Sequence, residues 1–170
     1  MTKKTRLATV WLDGCSGCHM SILDIDDALI AFAGRIDLVY GPLVDAQEFP
    51  KGVDVTIVEG AVSSQDDLEK ARLIRSRSKL VVAVGDCAVT SNVPAMRNNI
   101  PVHRMLEGIY GTAPTDGVPA LLKHAVPLHD AIKVDLHVPG CPPPAKAIAF
   151  VLGELLEGRM PDLAGKVKFG

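Results

Sequence analysis

The stretch that decides the fold is TRLATVWLDGCSGC, residues 5–18. It begins as a mostly apolar run without strict alternation, which is typical of a strand covered on both faces. It ends in a short loop in which glycines flank Cys15 and Cys18. A buried strand that leads through a glycine-rich loop into a helical pattern is typical of how a parallel α/β sheet begins.

Four more runs share this buried-strand character. With the first run they give five predicted strands: Thr5–Leu12, Ile36–Tyr40, Val53–Val58, Lys79–Val84 and Lys133–Val138. Helical patterns occupy Ser16–Gly34, Gln65–Ser78 and Pro144–Glu157. The alternation predicts an α/β fold, a doubly wound parallel sheet of four to five strands with helices on both faces.

Composition narrows the class of protein. The chain has 170 residues, and at about 150 residues per domain we expect a single domain over residues 1–170. Hydrophobic residues make up 48 % and aromatic residues 4 %, so the core must consist of Ala, Val, Leu and Ile. With a net charge of −2, positive and negative residues are too nearly equal in number for a nucleic-acid binder.

The sequence shows no membrane or export signal. Apolar runs fall short of the roughly 18 residues that span a bilayer, and Met1–Leu12 lacks a signal-peptide pattern. We therefore expect a cytoplasmic protein.

Residues 91–130 depart from the regular alternation. Prolines and glycines interrupt this segment repeatedly, at Pro94, Pro101, Gly111, Pro114, Gly117, Pro119 and Pro127. We expect short helices near Val102–Tyr110 and Pro119–His124. Because a long irregular excursion inside a compact domain is usually functional, we expect residues 91–130 to form a docking surface.

The four cysteines follow the ends of three predicted strands. Cys15, Cys87 and Cys141 each lie three residues after a strand, and Cys18 shares the loop of Cys15. The carboxyl ends of parallel strands share one edge, where ligands bind, so three separate loops are expected to bring four thiols together. In a reducing compartment such cysteines are more often metal ligands or redox groups than disulfides.

Four thiolates suit either a tetrahedral zinc ion or a 4Fe–4S cluster. Structural zinc sites of this kind usually combine two Cys-x-x-Cys pairs, whereas here the pair Cys15 and Cys18 joins two isolated cysteines. The spacing favours the cluster. Core cysteines without a ligand and a thioredoxin-like dithiol are the alternatives, although a dithiol needs no third or fourth cysteine.

Residues beside the cysteines are candidates for supporting roles. Three glycines either donate backbone N–H groups to the sulfur atoms, which raises a cluster's potential, or only form turns: Gly14, Gly17 and Gly140. His19 is either a donor behind Cys18 or a surface or partner-facing histidine, and Trp11 packs over the cluster, over a partner or in the core. Glu59, at the end of the third strand, is a proton relay, a contact to another subunit, or a loop cap.

Several motifs together resemble the small subunit of nickel–iron hydrogenases. They are WLDGCSGC at 11–18, VEG at 58–60, GDCA at 85–88 and PGCPP at 139–143. The similarity covers essentially the whole chain. It is closest to the short cytoplasmic small subunit of bidirectional, NAD-linked enzymes, which CHMS at 18–21 and VPAMRN at 93–98 also resemble.

The resemblance implies a flavodoxin-like iron–sulfur domain that holds one 4Fe–4S cluster. Its ligands would be Cys15, Cys18, Cys87 and Cys141. The nickel–iron centre would lie in a separate large subunit. Electrons would leave through an iron–sulfur adapter towards a flavin/NAD-binding diaphorase, for the reaction of H2 with NAD+ to give H+ and NADH. The chain would be inactive alone and would hold no catalytic residue, apart from the relay candidate Glu59.

Other functions are weighed against this one. The quinone-linked relative in respiratory complex I has adjacent cysteines in its first motif, whereas Ser16 and Gly17 separate them here. Coenzyme F420-linked and heterodisulfide-linked hydrogenases have similar small subunits and stay as alternatives. A flavodoxin-like FMN carrier suits the fold, but the loop Asp13–Ser21 carries two cysteines where a phosphate favours hydroxyl groups. FMN on this subunit is the remaining alternative.

Overall fold

The centre of the computed structural model is a parallel sheet, and the structure describes residues 4–112 and 116–170. The strands are β1 (Thr5–Trp11), β2 (Ile36–Tyr40), β3 (Val53–Glu59), β4 (Val62–Ser64), β5 (Ser78–Val84), β6 (Leu121–Val126) and β7 (Leu136–Val138). Pro114 of the expected excursion and Met1–Lys3 of the N-terminal stretch lie outside the described residues.

Helices connect these strands. They are α1 (Gly17–Leu23), α2 (Asp27–Ala33), α3 (Gln65–Arg77), α4 (Asp86–Thr90), α5 (Val102–Tyr110), α6 (Leu128–Ala131) and α7 (Ala145–Leu156), with a 3-10 helix over Val93–Asn99. The longest, α3, begins in a capping box in which the Ser64 hydroxyl accepts from the Asp67 N–H and the Asp67 carboxylate accepts from the Ser64 N–H. Such a cap satisfies N–H groups that the first turn leaves unpaired.

The five-stranded sheet has the order β2-β1-β3-β5-β7, and every pairing in it is parallel. The five predicted strands are these five, so the α/β class and the parallel sheet are confirmed. Side chains along β5 alternate between two apolar layers, with Val81 and Ala83 in one and Val82 and Val84 in the other, which is the period of a strand. Ala8 and Val10 of β1 belong to one layer, and Leu7 belongs to the other.

Both faces of the sheet are covered. One layer takes Ala71 and Ile74 from α3, and the other takes Ile148 and Val151 from α7. Each of these four side chains is almost wholly buried. The two layers confirm the prediction of helices on both faces.

Two of the predicted helices are wrong. The pattern over Ser16–Gly34 forms α1 and α2 rather than one helix, and Asp26 between them has φ +58°. Pro119–His124 is not helical, because Leu121–Val126 pairs with β4 as an antiparallel strand. The helix at Val102–Tyr110 is confirmed. The excursion over residues 91–130 is therefore more ordered, where it is described, than its prolines and glycines indicate.

None of the helices in the described parts of the chain is both long and apolar enough to cross a membrane.

Candidate metal centre

The carboxyl ends of four strands lie side by side at one edge of the sheet. Trp11 of β1 pairs with Glu59 of β3, Glu59 with Val84 of β5, and Val84 with Val138 of β7. The chain order reverses between β1 and β3, which is where open α/β sheets place ligands. The cysteine loops follow β1, β5 and β7, so all of them begin at this edge.

The four cysteines form one group. Cys15 lies in the loop after β1, Cys18 in α1, Cys87 in α4 and Cys141 in the loop between β7 and α7. All four thiols are free; Cys15 and Cys141 are exposed, whereas Cys18 and Cys87 are partly buried. Cys15 and Cys87 act electrostatically on Cys18, and Cys15 and Cys141 act on Cys87. The loops that carry the four cysteines therefore begin at one edge and influence one another, and the role of the four thiols as ligands stays a prediction.

The electrostatics of the group disfavour free thiolates. Burial raises the pKa of the Cys18 thiol well above its ordinary range, and the charge and hydrogen bond of Glu59 raise it further. Burial also raises the pKa of Cys87, as do the charges of Cys141 and Cys15, against a lowering by the Val93 N–H. A bound metal group would supply the positive charge that such a site needs, and it would displace the thiol protons. The four-thiol donor set thus fits an iron–sulfur group.

The zinc alternative requires ligands that share one coordination shell. Across residues 4–112 and 116–170, no three or more His, Cys, Asp or Glu side chains lie close enough together to hold one metal ion. An iron–sulfur cluster instead attaches its thiolates to different iron atoms.

Two positions beside the cysteines require glycine. Gly85 has φ +85° and ψ +155°, a conformation that essentially only glycine adopts. A Cβ at Gly85 would overlap the Sγ of Cys18. Gly140 has φ +141°, and a Cβ there would lie 2.6 Å from the Cα of Pro143. At Gly85 the main chain therefore approaches a sulfur atom more closely than a side chain would permit.

Glu59 is buried directly behind the first cysteine pair, with 3 % of its surface exposed. Its Oε2 accepts the His19 N–H at 2.7 Å, and the carboxylate also contacts the Cys18 thiol. This matches the prediction of a cap that accepts a backbone N–H. The proton-relay role of Glu59 stays a prediction.

His19 is 8 % exposed, so the interpretation as a surface histidine is wrong. Its Nδ1 lies 3.1 Å from Oε2 of Glu59, although the ring nitrogen is not oriented for a hydrogen bond. The ring meets Trp11 edge-on, with 5.6 Å between the ring centroids. Trp11 is 45 % exposed, so it is not buried in the core. Instead it packs on His19 beside the site.

Asp86 and Asn92 are two neighbours of the cysteines that the sequence did not single out. The Gly140 N–H donates to Oδ1 of Asp86 at 2.6 Å, so the expectation that this amide faces a sulfur atom is wrong. Asn92 Nδ2 lies 3.7 Å from the Sγ of Cys141. An acidic residue directly before Cys87 was the available signal for Asp86. The amides of Gly14 and Gly17 remain predicted donors to sulfur.

Comparison with known proteins gives matches along most of the chain. Residues 15–155 match the family model described as NADH ubiquinone oxidoreductase, 20 Kd subunit. The delta subunit of the NAD-reducing hydrogenase HoxS of Cupriavidus necator is 33 % identical, over 96 % of this chain and 84 % of that subunit. A subunit of the F420-non-reducing hydrogenase vhu of Methanocaldococcus jannaschii is 36 % identical, over 98 % of this chain and 61 % of that relative. The chain therefore spans only about three fifths of the length of the latter protein.

A solved structure of a NAD+-reducing [NiFe]-hydrogenase contains a chain of the same fold. The TM-score is 0.94 and the identity 36 %, over 99 % of this chain and 100 % of that chain. The chain thus belongs to the family of the NADH ubiquinone oxidoreductase 20 Kd subunit, and the relatives that it matches here are hydrogenase subunits.

Proposed function

We propose that this chain is the electron-transfer subunit of a NAD-reducing nickel–iron hydrogenase. The observation that carries the proposal is the meeting of Cys15, Cys18, Cys87 and Cys141 at one sheet edge. The chain that matches with a TM-score of 0.94 comes from a NAD+-reducing [NiFe]-hydrogenase, which supports the choice of enzyme.

The four cysteines would hold one 4Fe–4S cluster. Such a cluster supplies one-electron transfer, and its potential depends on hydrogen bonds, charge and solvent exposure. The chain's own residues set these conditions. Gly85 allows the backbone to lie against Cys18, Glu59 fixes the first turn of α1 behind Cys18, and Val93 directs its N–H to Cys87.

The nickel–iron centre would be held by a large subunit that docks on the edge with the cysteines. Large apolar side chains are exposed around this edge, at Trp11, Met20, Val93 and Met96. Contiguous exposed apolar surface commonly marks a protein interface. We call these four residues the cysteine-edge surface. A single cluster must pass its electrons to another subunit. An iron–sulfur adapter and a flavin/NAD-binding diaphorase would therefore complete the complex, which we place in the cytoplasm.

Glu59 is the proposed proton-relay residue of this chain. It is buried at the same edge, and its carboxylate contacts His19 and Cys18. A carboxylate in that position can carry a proton between the metal centre of a docked subunit and the solvent. The chain on its own would not turn over hydrogen, because the nickel ligands would belong to the large subunit.

A second candidate is the small subunit of a hydrogenase with another electron acceptor. The 36 % identity to an F420-non-reducing enzyme favours this candidate as much as the identity to HoxS delta favours NAD. Heterodisulfide- or F420-linked acceptors would keep the same cluster site and change only the partner that receives electrons. FMN on this subunit would add structured flavin bands to the visible spectrum.

The test is purification of the native complex through a tag on this chain. We expect about four iron and four sulfide per chain, as one 4Fe–4S cluster requires, a nickel-containing large subunit, and H2-dependent reduction of NAD+. Reduction of F420 or of a heterodisulfide in place of NAD+ would transfer the assignment to the second candidate. One zinc without iron would contradict both. Cys87→Ser serves as the site variant, and unchanged iron together with unchanged activity would end the proposal.

A further inference from the structure

Asp86 is a buried carboxylate that the ligand set does not use. It lies directly before Cys87 and is 4 % exposed. A carboxylate removed from water needs hydrogen-bond donors to offset its lost hydration. The donors that Asp86 uses come from two segments that are distant in sequence.

The first contact ties two cysteine loops together. Oδ1 of Asp86 accepts the Gly140 N–H at 2.6 Å, while the Asp86 N–H donates to the Gly140 carbonyl at 2.8 Å. Gly140 directly precedes Cys141, just as Asp86 directly precedes Cys87. Two reciprocal hydrogen bonds therefore join the residues that immediately precede two of the proposed ligands.

These bonds extend the sheet beyond its last paired residues. The pairing of β5 with β7 ends at Val84 and Val138, and the Gly85 N–H then donates to the Val138 carbonyl at 2.9 Å. Asp86 and Gly140 form the next link, at the point where both chains leave the sheet. The separation of the two cysteine loops is thus set by a side chain as well as by the strand ladder.

The second contact draws another segment to the same place. Oδ2 of Asp86 accepts the Gly170 N–H at 2.9 Å. Gly170 packs on the main chain of Cys141, since a Cβ on Gly170 would lie 3.1 Å from the Cys141 nitrogen. One carboxylate thereby joins the Cys87 loop, the Cys141 loop and the segment that contains Gly170.

We propose that Asp86 is a positioning residue that sets the spacing of Cys87 and Cys141, and that it thereby controls how firmly the iron–sulfur cluster is held. This inference rests on the proposed function. Because its negative charge lies next to a ligand, Asp86 also lowers the potential of the cluster, since net charge is one determinant of that potential.

Two variants separate the contacts. Asp86→Asn keeps the volume and one acceptor oxygen for Gly140, but it removes the charge and places an NH2 group opposite the Gly170 N–H. Asp86→Ala removes both contacts. Asp135→Asn and Asp135→Ala are the matched controls, because Asp135 is another carboxylate that accepts a backbone N–H, from Val81 at 2.8 Å, and it lies before β7 rather than after it.

The experiment uses the assembled complex purified through this chain. It measures metal and sulfide per chain, the rate of cluster loss in a chelator, and the midpoint potential by EPR-monitored titration. We expect cluster loss to accelerate about tenfold in Asp86→Ala, the scale found for residues that orient metal ligands. Asp86→Asn should lie between Asp86→Ala and the wild type and should have a raised potential. The Asp135 variants should match the wild type in both measurements.

Folded Asp86→Asn with the loss rate and potential of the wild type would overturn the inference, and this comparison decides it even if Asp86→Ala does not fold. The metal found in the wild-type complex tests the proposed function separately. Zinc in place of iron would contradict that function. The relative retention of whichever metal is bound would still report whether Asp86 positions the cysteines.

Discussion

The Sγ of Cys18 lies against the backbone of Gly85, a residue that has no side chain. Gly85 turns the end of β5 into α4 with φ +85°, and its Cα faces the Sγ of Cys18. Glu59 supports the same cysteine from the end of β3. Residues at the ends of two strands thus surround one sulfur atom, which the sequence spacing of the cysteines alone does not reveal.

Replacement of this glycine tests that close approach. We expect Gly85→Ala to lose most of the bound iron, because its Cβ would displace Cys18 and the backbone strain costs about 1–3 kcal/mol. The matched control is Gly153→Ala within α7, where a Cβ would meet nothing within 4 Å. That change should keep the iron and stabilise the fold by about 0.5–1 kcal/mol. Iron per chain and thermal unfolding measure the two effects, and full iron content in Gly85→Ala would contradict the prediction.

A buried hydroxyl pair gives a second prediction at this scale. Thr56 of β3 and Ser78 of β5 lie 2.7 Å apart through their side-chain oxygens, and Thr56 is wholly buried. We expect Thr56→Val to lower the free energy of unfolding by about 1–3 kcal/mol, because it leaves the Ser78 hydroxyl without its partner. Thr56→Ser, which keeps the hydroxyl group, should cost less. The double variant Thr56→Val with Ser78→Ala should recover part of the loss in urea unfolding, and additive losses would refute the pairing.

At the scale of elements, one ion pair connects α3 with β5 and β7. Arg75 near the end of α3 contacts Asp135 at 2.5 Å, and it also donates to the carbonyls of Ser78 and Lys79. Burial tends to raise the pKa of Asp135. The Val81 N–H and the Arg75 guanidinium outweigh it and hold the pKa below the ordinary 3.8.

This pKa shift predicts a pH dependence of stability. A carboxyl group with a lowered folded-state pKa stabilises the fold above its unfolded-state pKa, and the contribution disappears as the pH falls through the folded-state value. Between about pH 5 and pH 2 the wild type should therefore lose more free energy of unfolding than Asp135→Asn. Urea unfolding across that range measures the difference. Equal pH dependence of the free energy of unfolding in the two proteins would show that Asp135 does not contribute to it.

The elements also show which features the sequence could predict. The β5 strand is predictable because a run of apolar residues is needed when both faces are covered. The β6 strand is not predictable, since its residues show no clear alternation of apolar and polar side chains. The pattern at Pro119–His124 indicates a helix instead. Contacts from a residue distant in sequence stabilise it. The side-chain amide of Asn98 donates to the Ala125 carbonyl and accepts the Ala125 N–H. Asp26, with φ +58°, ends a helical pattern that periodicity alone continues.

The candidate site shows the same division. That three loops with cysteines begin at one edge was predictable, because parallel topology dictates where strand ends lie, whereas the role of the four thiols as ligands stays a prediction. The supporting contacts of Asp86 and Glu59 were not, because they depend on loop conformations that bring together residues far apart in sequence. His19 illustrates the difference: its position after Cys18 is visible in the sequence, but its burial against Glu59 and Trp11 is a tertiary property.

At the scale of the whole molecule, four of the exposed large apolar side chains belong to elements next to the cysteines: Trp11, Met20, Val93 and Met96. Met96 is 74 % exposed and lies three residues after Val93, whose N–H points towards Cys87. In a 3-10 helix residues three apart share a face, so Met96 and Val93 lie on the same side of their helix. A protein partner that docks over the cluster would cover both.

We therefore expect Met96→Glu to weaken the binding of the large subunit about tenfold, equivalent to about 1.4 kcal/mol, by placing a charge in a desolvated contact. The cluster should be retained, because Met96 is not among the four cysteines or their supporting residues. The matched control is Met160→Glu, another exposed methionine, which follows α7 beyond the opposite end of that helix from Cys141. Titration of the purified large subunit measures both affinities, alongside iron per chain. Wild-type affinity in Met96→Glu, or an equal loss in Met160→Glu, would place the large subunit elsewhere on the molecule.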